Sequence, residues 1–175
     1  MSNETKQWTN LLQMFVRQAK LALGRSKAAD TTGRDLTGGK LLSGALVFKR
    51  LLAREVLDDD EQFVGWLLPP SVPAILANTA LPMDGRTPVN LNYTVTSEVM
   101  NACIRHCGIK HVLTSKRVMK KLNLEIDAEL VYLEDLITKV TKADKLIGAA
   151  QAYGLPASVI ERLHGLDKLK PDDVL

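Results

Sequence analysis

The stretch from Phe63 to Ser115, FVGWLLPPSVPAILANTALPMDGRTPVNLNYTVTSEVMNACIRHCGIKHVLTS, reads as three short apolar runs separated by two helical segments. Phe63 to Leu68 is continuously apolar and of strand length, the pattern of a strand covered on both faces. Pro69-Pro70 stops it. Ser71 is a good N-cap, and Pro73 falls in the first turn of the helix that follows. That helix should turn Val72, Ile75, Leu76 and Ala80 inward. Thr87 to Leu91 is the second strand. Ser97 opens a helix with Val99, Met100, Cys103 and Ile104 inward, ending at Gly108. His111 to Leu113 is the third strand, and Thr114-Ser115 caps a further helix. Strands alternating with helices at this spacing predict an α/β fold, a mainly parallel sheet flanked by helices.

Upstream, Ala28 to Leu36 (AADTTGRDL) reads as a small hairpin with its turn at Thr32-Gly33-Arg34, where Asp30 can bond to local backbone. Thr37 is placed to cap a long helix from about Gly38 to Val56, with Leu42, Ala45, Leu46, Lys49, Leu52 and Ala53 on its packed face. Thr5 to Leu23 has the period of an amphipathic helix, with Trp8, Leu11, Leu12, Phe15 and Ala19 on one stripe and Lys6, Arg17 and Lys20 adding positive charge. Two readings fit it: a helix docked on the core, or a basic helix lying on a membrane surface. Asp58-Asp59-Asp60-Glu61 reads as a solvated acidic turn. Downstream, Ala128 to Tyr132 suits a strand, Leu133 to Ala150 one or two helices, and Pro156 to His164 a short helix. Leu169 to Asp173 is a loop, and Val174-Leu175 the beginning of a strand. Two units follow: an N-terminal amphipathic helix over residues 1–26 and an α/β subdomain over residues 27–175.

The totals narrow the function classes. The chain has 175 residues, 46% of them hydrophobic, enough for a real core. Its net charge of +3 and its 5% aromatic content argue against a nucleic-acid partner, which needs a stronger basic field or stacking platforms. Cys103 and Cys107 sit four apart in a helical segment, which is not a disulfide framework and suits a reducing compartment. No apolar stretch approaches the ~20 residues needed to span a bilayer, and the N-terminus has no leader pattern. The expected location is cytoplasmic, with peripheral contact at the inner face of a membrane as the variant reading.

Each chemical constellation meets a plainer explanation. Gly33, Gly38, Gly39 and Lys40 resemble a phosphate loop but fail its spacing, because Arg34 stands where the first glycine belongs and Leu41 where the magnesium-binding hydroxyl belongs. Cys103, His106, Cys107 and His111 are four zinc-type ligands within nine residues, but Gly108 ends the helix before His111 and the spacing matches no finger. His164 stands alone on a short polar helix and is expected at the surface. Lys116, Arg117, Lys120 and Lys121 form a basic cluster after a strand, suited to a solvated face or to the phosphates of a cofactor or lipid head group.

Several of these segments together resemble a known family. Leu67-Leu68-Pro69-Pro70-Ser71-Val72, then Gly85-Arg86-Thr87-Pro88-Val89-Asn90-Leu91-Asn92, Thr96-Ser97-Glu98, and Cys107-Gly108-Ile109-Lys110-His111-Val112-Leu113-Thr114-Ser115 occur in the order and character of the N-terminal part of the AMP-forming acyl-CoA and acyl-ACP synthetases. Ala29 to Thr37 resembles the hairpin opening that family's first block. The match is good over about residues 28–121. Val89-Asn90-Leu91-Asn92-Tyr93-Thr94, Val131-Tyr132-Leu133-Glu134-Asp135-Leu136 and Lys142-Ala143-Asp144-Lys145 are similar to the synthetase half of bifunctional acyl-ACP synthetase/2-acylglycerophosphoethanolamine acyltransferases. Thr94 stands where some CoA ligases carry an arginine near the CoA phosphates, which favours acyl carrier protein as acceptor.

The resemblance implies that the parent enzyme joins a fatty acid to AMP. The carboxylate attacks the α-phosphate of Mg-ATP, pyrophosphate leaves, and a thiol of acyl carrier protein or CoA then takes the acyl group as AMP departs, with onward transfer to a lysophospholipid in the bifunctional relatives. ATP and magnesium are expected for the parent and not for this portion. The family's glycine-rich loop and C-terminal lysine lie beyond the position of Leu175, so no catalytic, cofactor-binding or metal-binding residue carries over. The portion alone is expected to be inactive, to need the remainder of the synthetase, and to self-associate. The alternative is a non-catalytic protein- or membrane-interaction module that keeps the synthetase fold.

Overall fold

The computed structural model describes residues 10–122 and 124–170. Trp8 and the rest of the stretch before Asn10, like the expected strand start at Val174-Leu175, lie outside the described residues. Helix α1 (Leu11–Leu21) begins at Asn10, whose side chain accepts from the Gln13 amide while Gln13 reaches back to the Asn10 amide. Strands β1 (Ser26–Ala29) and β2 (Asp35–Thr37) pair as an antiparallel hairpin. Thr37 then caps α2 (Gly38–Glu55), as its hydroxyl accepts from the Lys40 amide.

The parallel sheet follows: β3 (Phe63–Trp66), α3 (Val72–Met83), β4 (Thr87–Asn90), α4 (Ser97–Cys107), β5 (His111–Thr114), the short α5 (Lys116–Met119) and β6 (Glu129–Tyr132). The strand order is β4-β3-β5-β6, every pair parallel. β3 and β5 are central and carry the fully buried Val64, Val112 and Leu113. Pro88 is tolerated because β4 is an edge strand that bonds to β3 alone. Beyond β6 come α6 (Leu133–Thr138), α7 (Lys142–Ala149), a π-helical turn (Ala150–Gly154) and α8 (Ala157–Leu163).

Helices cover both faces. On one, α2, α3 and α6 pack through Phe48, Leu51, Leu52, Ala77, Leu81 and Leu136 against Val64 and Leu113. On the other, Met100 and Ile104 of α4 pack with Leu67, Leu91 and Val112. A third cluster joins α1 to α2 and α8 through Leu12, Val16, Leu42, Leu46 and Ile160.

Five inward assignments need correction. Leu11 is 69% exposed, while Val16 is buried in its place. Ala53 is exposed on α2, whose buried arc widens to include Phe48 and Leu51 because the helix packs on α1 and on the sheet layer at once. Ile75 and Val99 face outward, and Cys103 is exposed, with Asn101 buried instead. Asn101 lies inward because its amide donates to the Glu125 carbonyl at 3.0 Å and its oxygen accepts from the Asp127 amide at 2.9 Å, clamping the loop that leads to β6.

Candidate functional site

The chain leaves β3, forms β4 on one side, and crosses back to build β5 on the other side of β3. In an open parallel sheet this reversal opens a crevice beyond the carboxyl ends of the two strands, the usual place for a ligand. A cleft of about 420 Å³ lies there.

Its floor is Leu67 and Leu68 at the end of β3, with Pro69 and Pro70. Two bonds hold the floor to β5: the Leu67 amide donates to the Leu113 carbonyl at 2.8 Å, and the buried Thr114 hydroxyl donates to the Leu67 carbonyl at 3.0 Å. Tyr93, from the loop after β4, lines the cleft. That loop turns on Asn92, whose side chain accepts from the Thr94 amide and hydroxyl at 3.0 and 2.8 Å.

The β1–β2 hairpin brings Thr31 and Thr32 to the same cleft. Asp30 holds it there. One carboxylate oxygen accepts from the Thr32 hydroxyl and the Thr32 and Arg34 amides, and the other accepts from the Val72 amide at the start of α3, 3.0 Å away. The Thr32 hydroxyl, with the Val72 amide next in weight, holds the Asp30 carboxyl well below its ordinary range, at about 2. The sequence suggested local bonding by Asp30; its reach across 42 positions to α3 needed the tertiary structure.

The basic cluster divides. Lys116 pairs with Asp135 and lies 5.9 Å from the centre of the Tyr132 ring. Hydrogen bonding to Asp135 raises its pKa. Arg117 and Lys121 line the cleft instead, beside Ser115, whose hydroxyl accepts from the Val118 amide at 3.1 Å. The cleft therefore combines an apolar floor, several hydroxyls and two cations. Among the described residues no carboxylate lines it.

The other constellations separate. His111 is drawn away from Cys103 and Cys107 by Glu61, whose buried carboxylate accepts from the His111 amide at 3.1 Å and lies 2.7 Å from Nδ1. Among the described residues no group of three or more His, Cys, Asp and Glu could hold a metal ion. Glu61 also corrects the reading of a wholly solvated acidic turn, since only Asp58, Asp59 and Asp60 are exposed, with Asp58 and Asp60 paired with Lys110 at 3.1 and 2.8 Å. His164 is half-buried, 3.3 Å from the Gln151 side-chain oxygen, and burial lowers its pKa to about 4, helped by Lys49. Gly38 and Gly39 form no phosphate cradle: they pass the carbonyls of Ala19 and Ala22 and the ring of Tyr153. No described helix is long and apolar enough to cross a membrane.

No protein-family model matches the chain. Solved structures do. VinN in complex with 3-methylaspartate superposes with a TM-score of 0.67 at 16% identity, over 82% of this chain and 40% of its own length. The Klebsiella oxytoca NpsA N-terminal subdomain in complex with 3-hydroxyanthranilyl-AMSN gives 0.66 at 14% identity, over 81% of this chain and 35% of its own. The nonribosomal peptide synthetase FmoA3, in a form bound to alpha-methyl-L-serine-AMP, gives 0.62 at 18% identity, over 77% of this chain and 15% of its own. The chain thus spans less than half the length of each. These neighbours are adenylate-forming enzymes, and the chain has the fold of part of their N-terminal region, a four-stranded parallel sheet flanked by helices.

Proposed function

We propose that this chain is the N-terminal scaffold portion of an AMP-forming ligase that makes a fatty acyl adenylate and passes the acyl group to a thiol of acyl carrier protein or CoA. The observation that carries the reading is the cleft at the strand reversal, with its apolar floor, its hydroxyls and the cations Arg117 and Lys121. Such a lining suits a substrate with an apolar arm and an anionic phosphate, the chemistry of a phosphopantetheine-bearing acceptor. The chain's own residues position and bind: Asp30 and Thr114 hold the walls, and Arg117 and Lys121 meet the phosphate. No step through ATP or magnesium is assigned to them.

Fatty-acid-dependent exchange of pyrophosphate into ATP by the full-length protein tests the adenylation half. Exchange with the full-length protein and none with residues 1–175 alone is expected. Absence of exchange with every fatty acid tried would sink the ligase reading and favour the interaction module. For the acceptor half, Arg117→Glu with Lys121→Glu should raise the KM for the thiol acceptor by roughly tenfold. An unchanged KM would place the acceptor elsewhere.

A further inference from the structure

A second surface, separate from the cleft, is formed by α2, α6 and α7. A pit of about 140 Å³ lies between α2, α6 and the start of α3, with Phe48, Leu51 and Leu76 among its apolar walls and Arg34 and Ile137 also lining it. A broader hollow of about 380 Å³ shares Gly44, Val47 and Val140 with the pit and adds Lys40, Ser43, Lys145 and Tyr153. The two form one trough, apolar at one end and basic at the other. The pit is smaller than the ~300 Å³ at which small-molecule sites begin, and takes about one large apolar side chain. Ile137 lines the pit from α6 and Tyr153 lines the broader hollow from the π-helical turn, 54% and 50% exposed.

The charge is one-sided. Among the described residues no carboxylate lines either hollow. Nearby cations on the same helices are neutralised: Arg50 and Arg54 by Asp144, Lys139 by Glu55. Arg34, Lys40 and Lys145 have no side-chain partner among the described residues. Three unneutralised cations around an apolar trough complement a ligand with carboxylates on either side of an apolar ridge.

We propose that this face docks an acidic amphipathic helix of a partner protein. One large apolar side chain of the helix enters the pit between Phe48, Leu76 and Ile137, and its flanking carboxylates meet Arg34, Lys40 and Lys145. An α-helix presents such knobs at three- and four-residue spacing, the helix-in-groove mode. A bilayer surface is flat and cannot fill a recessed pit.

The test uses the full chain with a designed helical peptide carrying leucines at i, i+3 and i+7 and glutamates on both flanks. Amide shifts confined to α2, α6 and α7 are expected, with affinity falling as salt rises. Lys40→Glu with Lys145→Glu should weaken binding roughly tenfold, and Ile137→Ser severalfold. All three positions line exposed hollows, and unchanged circular dichroism and Tm would establish that the variants fold. Equal affinity for a peptide with lysines in place of the glutamates would overturn the proposal. So would a peptide response elsewhere on the chain. Two further controls decide against it if positive: phosphatidylglycerol vesicles binding this face when the peptide does not, and a concentration-dependent dimer that the same substitutions abolish.

Discussion

At the scale of single residues, three buried or half-buried polar groups organise the molecule, and they were unequally visible beforehand. Asp30 stood in a turn signal, so its bonds to Thr32 and Arg34 were readable from spacing alone. Glu61 was hidden in an acidic run, because nothing local separates a solvated glutamate from one buried against an imidazole 50 positions away. His164 looked like a surface residue and is half-buried, with its pKa lowered from 6.5 to about 4 by desolvation and by Lys49. The folded protein therefore keeps His164 neutral where the unfolded chain would protonate it. Its contribution to stability is complete above pH 6.5, falls as pH drops through the interval to about 4, and is absent below. Urea titrations at a series of pH values should show that His164→Gln flattens the loss of stability between pH 6.5 and 4. An unaltered slope there would mean that His164 is solvated. Asp30, held at about 2, acts in a separate window, losing its contribution between its ordinary 3.8 and that value.

At the scale of elements, caps and breakers were the reliable signals. Thr37, Ser71 and Ser115 each accept the bond that starts a helix, and Gly108 ends one, because capping depends on a few neighbouring atoms. Buried faces were less legible. A stripe of apolar residues marks where a helix can pack, but the partner elements decide how wide the buried arc is. α2 meets α1, α3, α7 and the hairpin, so its packed arc exceeds one stripe. The α1–α2 junction depends on Gly38, where a Cβ would lie 2.4 Å from the Ala19 carbonyl oxygen and 2.6 Å from that of Ala22. Those atoms are backbone and cannot swing aside. Gly38→Ala should destabilise the protein by about 3 kcal/mol, read as a drop in the urea midpoint with unchanged m. A midpoint within error of the parent would show that α1 can shift away freely. Gly148 plays a similar part between α7 and α2, where a Cβ would meet Val47 at 2.6 Å. At the N-terminus, Leu12→Glu would strike the core, since Leu12 is buried with Val16 against α8.

At the scale of the whole molecule, large apolar side chains remain exposed on several elements, among them Leu11, Leu146 and Leu163. Sedimentation velocity should show average mass rising with concentration, and Leu11→Lys with Leu163→Lys should reduce that rise. A strictly monomeric protein at every concentration would remove self-association from consideration. The order of residues by itself determined the succession of strands and helices, the parallel character of the sheet and the small hairpin, because period, caps and proline breaks are local or nearly local properties. The tertiary structure alone decided the lateral order β4-β3-β5-β6 and, with it, the position of the cleft. It also decided that Thr31, Tyr93 and Arg117 share one lining, and that Arg117 and Lys121 face the cleft while Lys116 turns to Asp135. The physical reason is range: a helix cap is satisfied within three residues, but the direction in which a strand crosses the sheet is settled by packing among parts of the chain far apart in sequence.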